Sequence, residues 1–306
     1  MSVVQRFFNL IDKVQGFLDY SWSKNDNFTG DKALGKIGTT GFVLGLLCGV
    51  YVTSIFFLSV LLYFGMLPAY YVMISSGLQW SIYSLFLFAF HFLEFFTTAL
   101  FQNNNLSYHS YIINHSKSYT MASIACFVEF TLETYLCGEW KRSPAVIALG
   151  TLIVLAGQVV RTTAMVTCGA NFSHQIMSSS KSQVGNHNLV THGIYKYLRH
   201  PSYCGWFWWS VGTQIILFNP ICLLGYFYAS WSFFNERVPF EEKVLINVYG
   251  VDYQTYMSTT HIGIPFITSP TYNPGHTFNT SGASSSSSSS TSYAPTASDD
   301  DDNEND

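Results

Sequence analysis

Residues 37–65 read IGTTGFVLGLLCGVYVTSIFFLSVLLYFG. They open a run of 57 residues, from Ile37 to Leu93, that contains no Asp, Glu, Lys or Arg. Uninterrupted apolar stretches of this kind are typical of helices that cross a lipid bilayer. Charged residues make up 10% of the 306-residue chain, whereas soluble proteins contain about 25%. The sequence therefore predicts an all-α, polytopic membrane protein.

Six transmembrane helices are predicted, each of roughly 20 mostly apolar residues. They occupy residues 42–64, 78–101, 118–137, 145–168, 202–218 and 221–234. The last two form a C-terminal helical hairpin, because the dipeptide Asn219-Pro220 between them favours a tight reversal.

Lys and Arg residues ahead of the first span predict a cytosolic N-terminus and, four spans later, a cytosolic loop before the hairpin. Four regions follow from this: a cytosolic N-terminal segment (1–40), the transmembrane helices (41–168), a cytosol-facing catalytic and cofactor-binding region (169–268) and a tail (269–306). Residues 3–20 have the spacing of an amphipathic helix, which either lies on the membrane surface or docks on the rest of the protein. The Ser-rich, acidic tail is predicted to be disordered, because it has too few apolar residues to bury.

Several functions are excluded by composition and spacing. The 14 Lys and Arg residues are scattered, which argues against a nucleic-acid partner. No Gly-x-Gly, Gly-x-Ser-x-Gly or closely spaced His pair occurs, so the fingerprints of dinucleotide enzymes, serine hydrolases and zinc peptidases are absent. The six Cys residues lack Cys-x-x-Cys spacing, so no metal site is expected.

Four charged residues fall within or beside the apolar segments: Glu94, Glu129, Glu133 and Arg161. A charge at that depth is costly unless it is paired or faces a cavity. Two interpretations stay open, namely pairing between helices and the lining of a substrate cavity.

Polar residues concentrate in two clusters that flank the hairpin, HNLVTHGIYKYLRHPSYCGW (187–206) and FFNERVPFEEKVLINVYGVDYQTY (233–256). Pro201 suits the first turn of a helix, whose free N–H groups could bind a carboxylate or a ribose oxygen. Pro239 is predicted to begin another helix, with Glu241 and Glu242 in its first turn and Glu242 as a capping residue. Arg237 is either structural or functional, since a planar guanidinium is suited to gripping a carboxylate.

Together these clusters resemble a known family. The stretches NHNLVTHGIYKYLRHPSYCGWFWWSVGTQIILFNP, WSFFNERVPFEEKVLINVYGVDYQTY and GIPFI are similar to those of the isoprenylcysteine carboxyl methyltransferases, and the similarity covers roughly residues 90–267. The resemblance implies an endoplasmic reticulum membrane enzyme that faces the cytosol. It also implies methylation of the C-terminal carboxylate of prenylated proteins, such as small GTPases, with S-adenosylmethionine as the methyl donor and no metal.

The resemblance also implies a set of site residues. Arg237 would be the catalytic residue and would hold the substrate carboxylate. The contacts to S-adenosylmethionine would come from His187, Asn188, Leu189, Val190, Tyr195, His200, Pro201, Ser202, Tyr203 and Glu241. The stretch 175–186 is longer than is usual in the family and has Met177 where Gln is common, which puts one cofactor contact in question.

Two alternatives to the methyltransferase are kept open. A membrane reductase of the sterol type would share an Arg-His-Pro hairpin but would use a nicotinamide cofactor. A non-catalytic membrane scaffold would be expected to have lost Arg237 or His200, and both residues are present.

Overall fold

The computed structural model describes residues 30, 32–65, 70–101, 106–113, 116–138, 141, 143–173 and 188–270. Seven α-helices lie in these ranges: α1 (Leu34–Tyr63), α2 (Tyr71–Phe101), α3 (Lys117–Cys137), α4 (Pro144–Cys168), α5 (Pro201–Leu217), α6 (Pro220–Tyr249) and α7 (Val251–Thr259). Within the described ranges, extended pairing is limited to one isolated bridge between Leu198 and His261. The predicted all-α class is confirmed, whereas the amphipathic helix at 3–20, His187 and the tail from residue 271 lie outside the described residues.

Three helices are by themselves long and apolar enough to cross a membrane: Leu34–Tyr63, Tyr71–Phe101 and Pro144–Asn171. The remaining predicted spans coincide with α3, α5 and the first half of α6, which are shorter or more polar. The number of spans therefore stays a prediction. The hairpin is present as expected, because α5 ends at Leu217 and α6 begins at Pro220.

The closest helix packing in the described structure joins α4 to α5 through glycines. A Cβ atom built on Gly157 would lie 2.7 Å from the carbonyl oxygen of Gly205 and 2.7 Å from the backbone nitrogen of Trp209. Similarly, a Cβ on Gly150 would lie 2.5 Å from the nitrogen of Ile216. The two helices run in opposite directions with their backbones in contact, as small residues allow at helix interfaces in membranes. This contact sets the position of the whole hairpin.

A buried ion pair crosses the bundle from α2 to α4. Arg161 donates to both carboxylate oxygens of Glu94, with Nη2 2.8 Å from Oε2, and the two side chains are almost completely buried. Nη1 of Arg161 also donates to the hydroxyl of Ser202 at 3.0 Å. The structure therefore favours the pairing interpretation of these charges, and the pair holds the first turn of α5 as well.

The other two acidic residues of the apolar segments stabilise the turn of the hairpin. Glu129 accepts hydrogen bonds from the backbone N–H groups of Ile221 and Cys222, both at 2.7 Å, and so satisfies the first turn of α6. Glu133 pairs at 2.8 Å with Lys141, whose Nζ donates to the Leu217 carbonyl oxygen at 2.9 Å and to Oδ1 of Asn219 at 2.9 Å. The acidic side chain of Glu129 thus lies at the positive N-terminal end of α6, and the basic side chain of Lys141 lies at the negative C-terminal end of α5.

The prediction that Pro239 begins a helix is wrong, because α6 continues through it to Tyr249. A proline inside a helix removes one backbone hydrogen bond. Here Phe234, Val238 and Glu242 are all buried on either side of Pro239, so packing along one face keeps the helix continuous. As a result Glu242 lies well inside α6 and caps no helix.

After α7 the chain returns along the hairpin as a short non-helical segment, Ile262–Ile267, which we call the strap. Its three isoleucines, Ile262, Ile264 and Ile267, are buried against residues of α5 and α6. The backbone N–H of Arg199 donates to the carbonyl oxygen of His261 at 2.7 Å, which joins the strap to the loop before α5.

The α4–α5 contact predicts that Gly157→Ala destabilises the protein, because a Cβ atom there overlaps backbone atoms that cannot move independently. Overpacking of this kind costs about 1–3 kcal/mol. The measurement is the temperature at which the purified chain loses its monodisperse size-exclusion peak in detergent. Gly49→Ala is the matched control, since a Cβ on Gly49 meets no atom of the described residues within 4 Å. Equal midpoints for the two variants would contradict the close contact.

Candidate functional site

The predicted site residues come from three elements that meet at one end of the hairpin. The loop 188–200 leads into the first turn of α5, and the second half of α6 passes beside both. The hairpin brings Tyr203 of α5 and Phe234 of α6 into a stacked contact with ring centroids 5.0 Å apart. Residues 31 positions apart in sequence therefore share one surface.

Arg237, Tyr203 and Glu241 form a continuous hydrogen-bonded chain. Nε of Arg237 donates to the phenol oxygen of Tyr203 at 2.9 Å, and that phenol donates to Oε2 of Glu241 at 2.6 Å. Arg237 and Glu241 lie one helical turn apart on α6, so both face α5. The chain restrains the guanidinium and the carboxylate relative to each other.

Aromatic rings surround the Arg237 guanidinium. Its Cζ lies 5.4 Å from the ring centroid of Tyr203 and 5.7 Å from that of Phe233, distances at which a cation is attracted by a ring face. Arg237 is half-buried, and the Phe233 side chain is 46% exposed. A cation and an exposed apolar ring thus lie side by side at the surface of α6.

His200 is held between an acidic partner and an aromatic ring. Its imidazole lies parallel to the Tyr203 ring, with centroids 5.5 Å apart and an interplanar angle of 1°. Its Nε2 lies 3.2 Å from Oε1 of Glu242. The ring therefore has one orientation, fixed by a side chain from α6.

The same oxygen of Glu242 accepts a hydrogen bond from Nε of Arg199 at 2.8 Å. Arg199 is buried and also donates to the carbonyl oxygens of Met257 and Thr260 and to the hydroxyl of Ser269. Arg199 consequently ties the loop before α5 to α6, to the end of α7 and to the residues after the strap.

Glu242 lies beyond the predicted membrane arm of α6, which ends at residue 234. Burial by itself would raise the pKa of this carboxyl group. The hydrogen bond to His200 and the nearby charges of His200 and Arg199 outweigh that effect and lower its pKa. The carboxylate form of Glu242 is therefore the form that the fold stabilises.

The remaining predicted cofactor residues lie around this core. The Tyr195 carbonyl oxygen accepts a hydrogen bond from the Tyr256 hydroxyl at 2.5 Å, and burial raises the pKa of the Tyr195 phenol. Leu189 packs on the buried cluster of Ile246, Tyr253 and Tyr256. Asn188 is exposed, Val190 is half-buried and Pro201 begins α5.

Ser202 differs from its neighbours in the predicted set. Its hydroxyl accepts a hydrogen bond from Arg161 and is buried in the helix bundle. His187 lies outside the described residues, as does the whole of the atypical stretch 175–186. No cluster of three potential metal ligands occurs in the part of the chain that the structure describes.

The groups gathered at this end of the hairpin can bind a ligand that carries both positive and negative charge. Glu241 provides a carboxylate, while His200 and Tyr203 provide ring faces and the first turn of α5 provides backbone N–H groups. In addition, Oε2 of Glu242 and the hydroxyl of Tyr253 are buried without a hydrogen-bond partner among the described residues. A water molecule or a bound polar group could satisfy them.

Arg199 and Glu242 are the site residues that sequence reasoning missed. The sequence pattern predicts a helix cap at Glu242 and indicates no site role for Arg199. The signal available in sequence was an arginine directly before His200-Pro201 together with a double acid further along the chain. Only the fold shows that the second of these acids, and not the first, pairs with that arginine.

Comparisons of the chain with known proteins agree on one family. The model of the isoprenylcysteine carboxyl methyltransferase family matches residues 148–247. The protein-S-isoprenylcysteine O-methyltransferase of Xenopus laevis is 46% identical over 178 residues, which cover 58% of this chain and 61% of that protein. The enzyme of the same name from Saccharomyces cerevisiae is 34% identical over 243 residues, which cover 76% of this chain and 92% of that one.

A solved structure agrees with these matches. The structure described as the eukaryotic intramembrane Ras methyltransferase, isoprenylcysteine carboxyl methyltransferase, is 33% identical, with a TM-score of 0.61 over 84% of this chain and 93% of that chain. The chain spans about three fifths of the length of the Xenopus relative. These matches favour the methyltransferase interpretation over the reductase and the scaffold.

The pairing of Glu242 predicts that Glu242→Gln lowers the thermal stability of the protein. The amide keeps the shape of the side chain but leaves the buried Arg199 charge without its counter-charge, a loss worth about 3–5 kcal/mol. The measurement is the unfolding midpoint of the purified chain in detergent at neutral pH. Glu236→Gln, at an exposed position on the same helix, is the control and is expected to leave the midpoint unchanged.

The direction of the Glu242 pKa gives this prediction a pH dependence. A carboxyl group whose pKa is lowered by folding contributes its full stabilisation above its ordinary value of 4.5. That contribution is lost as the pH falls through the lowered value. The stability difference between the wild type and Glu242→Gln is therefore expected to shrink below pH 4.5, and a difference that grows there would contradict the assignment.

Proposed function

Because this chain belongs to the isoprenylcysteine carboxyl methyltransferase family, we propose that it transfers a methyl group from S-adenosylmethionine to the C-terminal carboxylate of a prenylated cysteine. One observation carries the proposal, namely the restrained guanidinium of Arg237 between the rings of Tyr203 and Phe233. A fixed cation next to an exposed apolar ring fits a ligand whose carboxylate is attached to a hydrocarbon chain.

Arg237 would bind the substrate carboxylate. A guanidinium can hold a carboxylate through two parallel hydrogen bonds, which fix its plane as well as its position. The bond from Nε to Tyr203 limits rotation of the guanidinium before the substrate arrives, so less conformational entropy is lost on binding. Phe233, on the same side of α6, would contact the first part of the prenyl chain.

The methyl donor would be held by Asn188, Leu189, Val190, Tyr195, His200, Pro201, Tyr203 and Glu241, with His187 included from the family resemblance. The backbone N–H groups of Ser202 and its neighbours in the first turn of α5 would serve a negatively charged part of the same ligand. S-adenosylmethionine supplies a methyl group on a positively charged sulfur. The Glu241 carboxylate, fixed by Tyr203, would favour that positive charge in the site.

The reaction needs little acid–base chemistry from the protein. A C-terminal carboxylate has a pKa of about 3.3–3.7 and is already ionised at neutral pH. Arg237 therefore contributes by aligning the attacking oxygen, and Glu241 and His200 contribute by fixing the donor. With both ligands bound, the prenyl chain and the aromatic residues around the site would displace water, which favours a step in which opposite charges are neutralised.

The proposed location rests on the family resemblance. We propose that the enzyme lies in the endoplasmic reticulum membrane with the site facing the cytosol, where the prenylated C-termini of small GTPases would be substrates. The position of Arg237, one turn beyond the predicted membrane arm of α6, supports a site at the membrane edge. From there a prenyl chain can remain among apolar residues while its carboxylate reaches Arg237.

The proposal predicts methyl transfer that depends on Arg237. Membranes containing the chain are incubated with labelled S-adenosylmethionine and N-acetyl-farnesylcysteine, and base-labile label in the lipid fraction is counted. Arg237→Ala is expected to lower kcat/KM about 100-fold or more, because the carboxylate loses its alignment. Arg237→Lys keeps the charge but cannot form the paired hydrogen bonds, so it is expected to recover only part of the loss.

Lys196→Ala provides the control, since Lys196 is an exposed cation of the loop before α5 and is expected to leave the rate unchanged. Near-normal turnover by a stably folded Arg237→Ala protein would remove Arg237 from the site. No transfer by the folded wild type would overturn the reaction itself.

A further inference from the structure

The strap, Ile262–Ile267, is not helical and runs beside the two predicted membrane segments of the hairpin, residues 202–218 and 221–234. Its depth can be read from two contacts. Sγ of Cys204, near the start of the first segment, donates to the carbonyl oxygen of Gly263 at 3.2 Å, and Trp231, near the end of the second, donates to that of Pro265. Both donors lie within about one helical turn of the predicted ends of these segments, so the strap lies just inside the edge of the apolar region.

The hydrogen bonding of the strap suits that depth. Non-helical backbone is tolerated in a hydrocarbon environment only where its polar groups find partners within the protein. The carbonyl oxygen of Gly263 accepts from Cys204, and that of Pro265 accepts from Nε1 of Trp231 at 3.1 Å. Pro265 has no N–H group to satisfy, and the three isoleucines fill the groove between α5 and α6.

Phe266 is the exception to this burial. Its side chain is 82% exposed and its backbone has φ +62°, a left-handed conformation that is costly for a bulky residue. A phenylalanine held in that conformation with its ring outward would gain nothing from contact with water.

The surface next to Phe266 is apolar as well. Ile221, Leu224 and Tyr228 lie on one face of α6 and are 74%, 74% and 68% exposed. This row leads to Trp231, whose ring lies 6.5 Å from that of Tyr228 and whose indole holds Pro265. Phe266 therefore extends the outward-facing apolar surface of the membrane arm.

We propose that the strap is embedded just inside the membrane edge and that its Phe266 ring contacts lipid acyl chains. The lipid bilayer is the occupant that this surface favours, because the surface is continuous with the exposed apolar row of α6. The proposed substrate site lies elsewhere on the helix. Six residues separate Trp231 from Arg237, which places the two side chains about 120° apart around α6. The proposal does not depend on the reaction assigned to Arg237.

The test uses the full chain in phosphatidylcholine vesicles that contain a trace of phospholipid with an alkyne-labelled acyl chain. Photoreactive benzoylphenylalanine replaces Phe266, and after irradiation the protein is examined for attached lipid. Leu224, on the apolar row, is the positive control, and Val251 of α7, which is 72% exposed, is the negative control. The expected result is that benzoylphenylalanine at position 266 attaches lipid with the same yield as at position 224, and that it attaches none at position 251.

Each other outcome would overturn the proposal. A yield at Phe266 equal to that at Val251 would place the strap in water. Cross-linking to a second copy of the chain would make the surface a subunit contact. A lipid signal abolished by N-acetyl-farnesylcysteine would make it part of the substrate site.

A second variant covers a failure of the bulky photoreactive residue to fold. Phe266→Cys and Val251→Cys are treated with a polyethylene glycol maleimide in intact vesicles, and the shift in gel mobility is compared with that of the parent chain. The Val251 variant is expected to gain one polymer chain, whereas the Phe266 variant gains it only after the membrane is dissolved. Equal modification of both variants in intact vesicles would overturn the proposal.

Discussion

The contact between the backbones of α4 and α5 is the constraint on which the rest of the described structure depends. Gly157 and Gly205 let the two helices approach until no side-chain atom fits between them. Because α5 cannot rotate or slide without a clash, its first turn has one position, and His200 and Tyr203 are placed with it. The strap then fills the groove between α5 and α6. The site is thus positioned by a backbone contact in which no functional side chain takes part.

Polar clusters hold the hairpin at both ends, and apolar packing joins them. At the turn, Glu129 and Lys141 satisfy the backbone groups where α5 ends and α6 begins. At the open end, Arg199 and Glu242 connect the loop before α5 to α6. Removing one member of such a pair leaves a buried charge unpaired and strongly destabilises the fold, whereas replacing both members by apolar residues often does not. The two helices are therefore constrained in register as well as in distance.

Local rules predicted those features whose causes lie close together in sequence. The uncharged run ending at Leu93 predicted membrane helices, and Asn219-Pro220 predicted the hairpin turn. The partners of Glu242 and Ser202 were not predictable in this way. Glu242 pairs with Arg199, 43 residues earlier, and Ser202 pairs with Arg161, 41 residues earlier. Which charge meets which is decided by the helix packing.

Pro239 and the strap illustrate the same limit. A proline signals a helix start when only its neighbours are considered, but the buried face of α6 on both sides of Pro239 overrides that preference. The path of Ile262–Ile267 depends on hydrogen-bond donors at Cys204 and Trp231. Neither donor is close enough in sequence to be linked to the strap by any spacing rule.

The Glu94–Arg161 pair has a consequence for the order of events during synthesis. The two residues are 67 positions apart, so at about 5–20 residues per second the ribosome makes Arg161 roughly 3–13 s after Glu94. During that interval a carboxylate within an apolar helix has no counter-charge, at a cost of about 3 kcal/mol on insertion scales. Until α4 arrives, α2 is therefore less stable in lipid by that amount, although its apolar length still favours the membrane. The charge pair makes the full stability of an early helix depend on a later one.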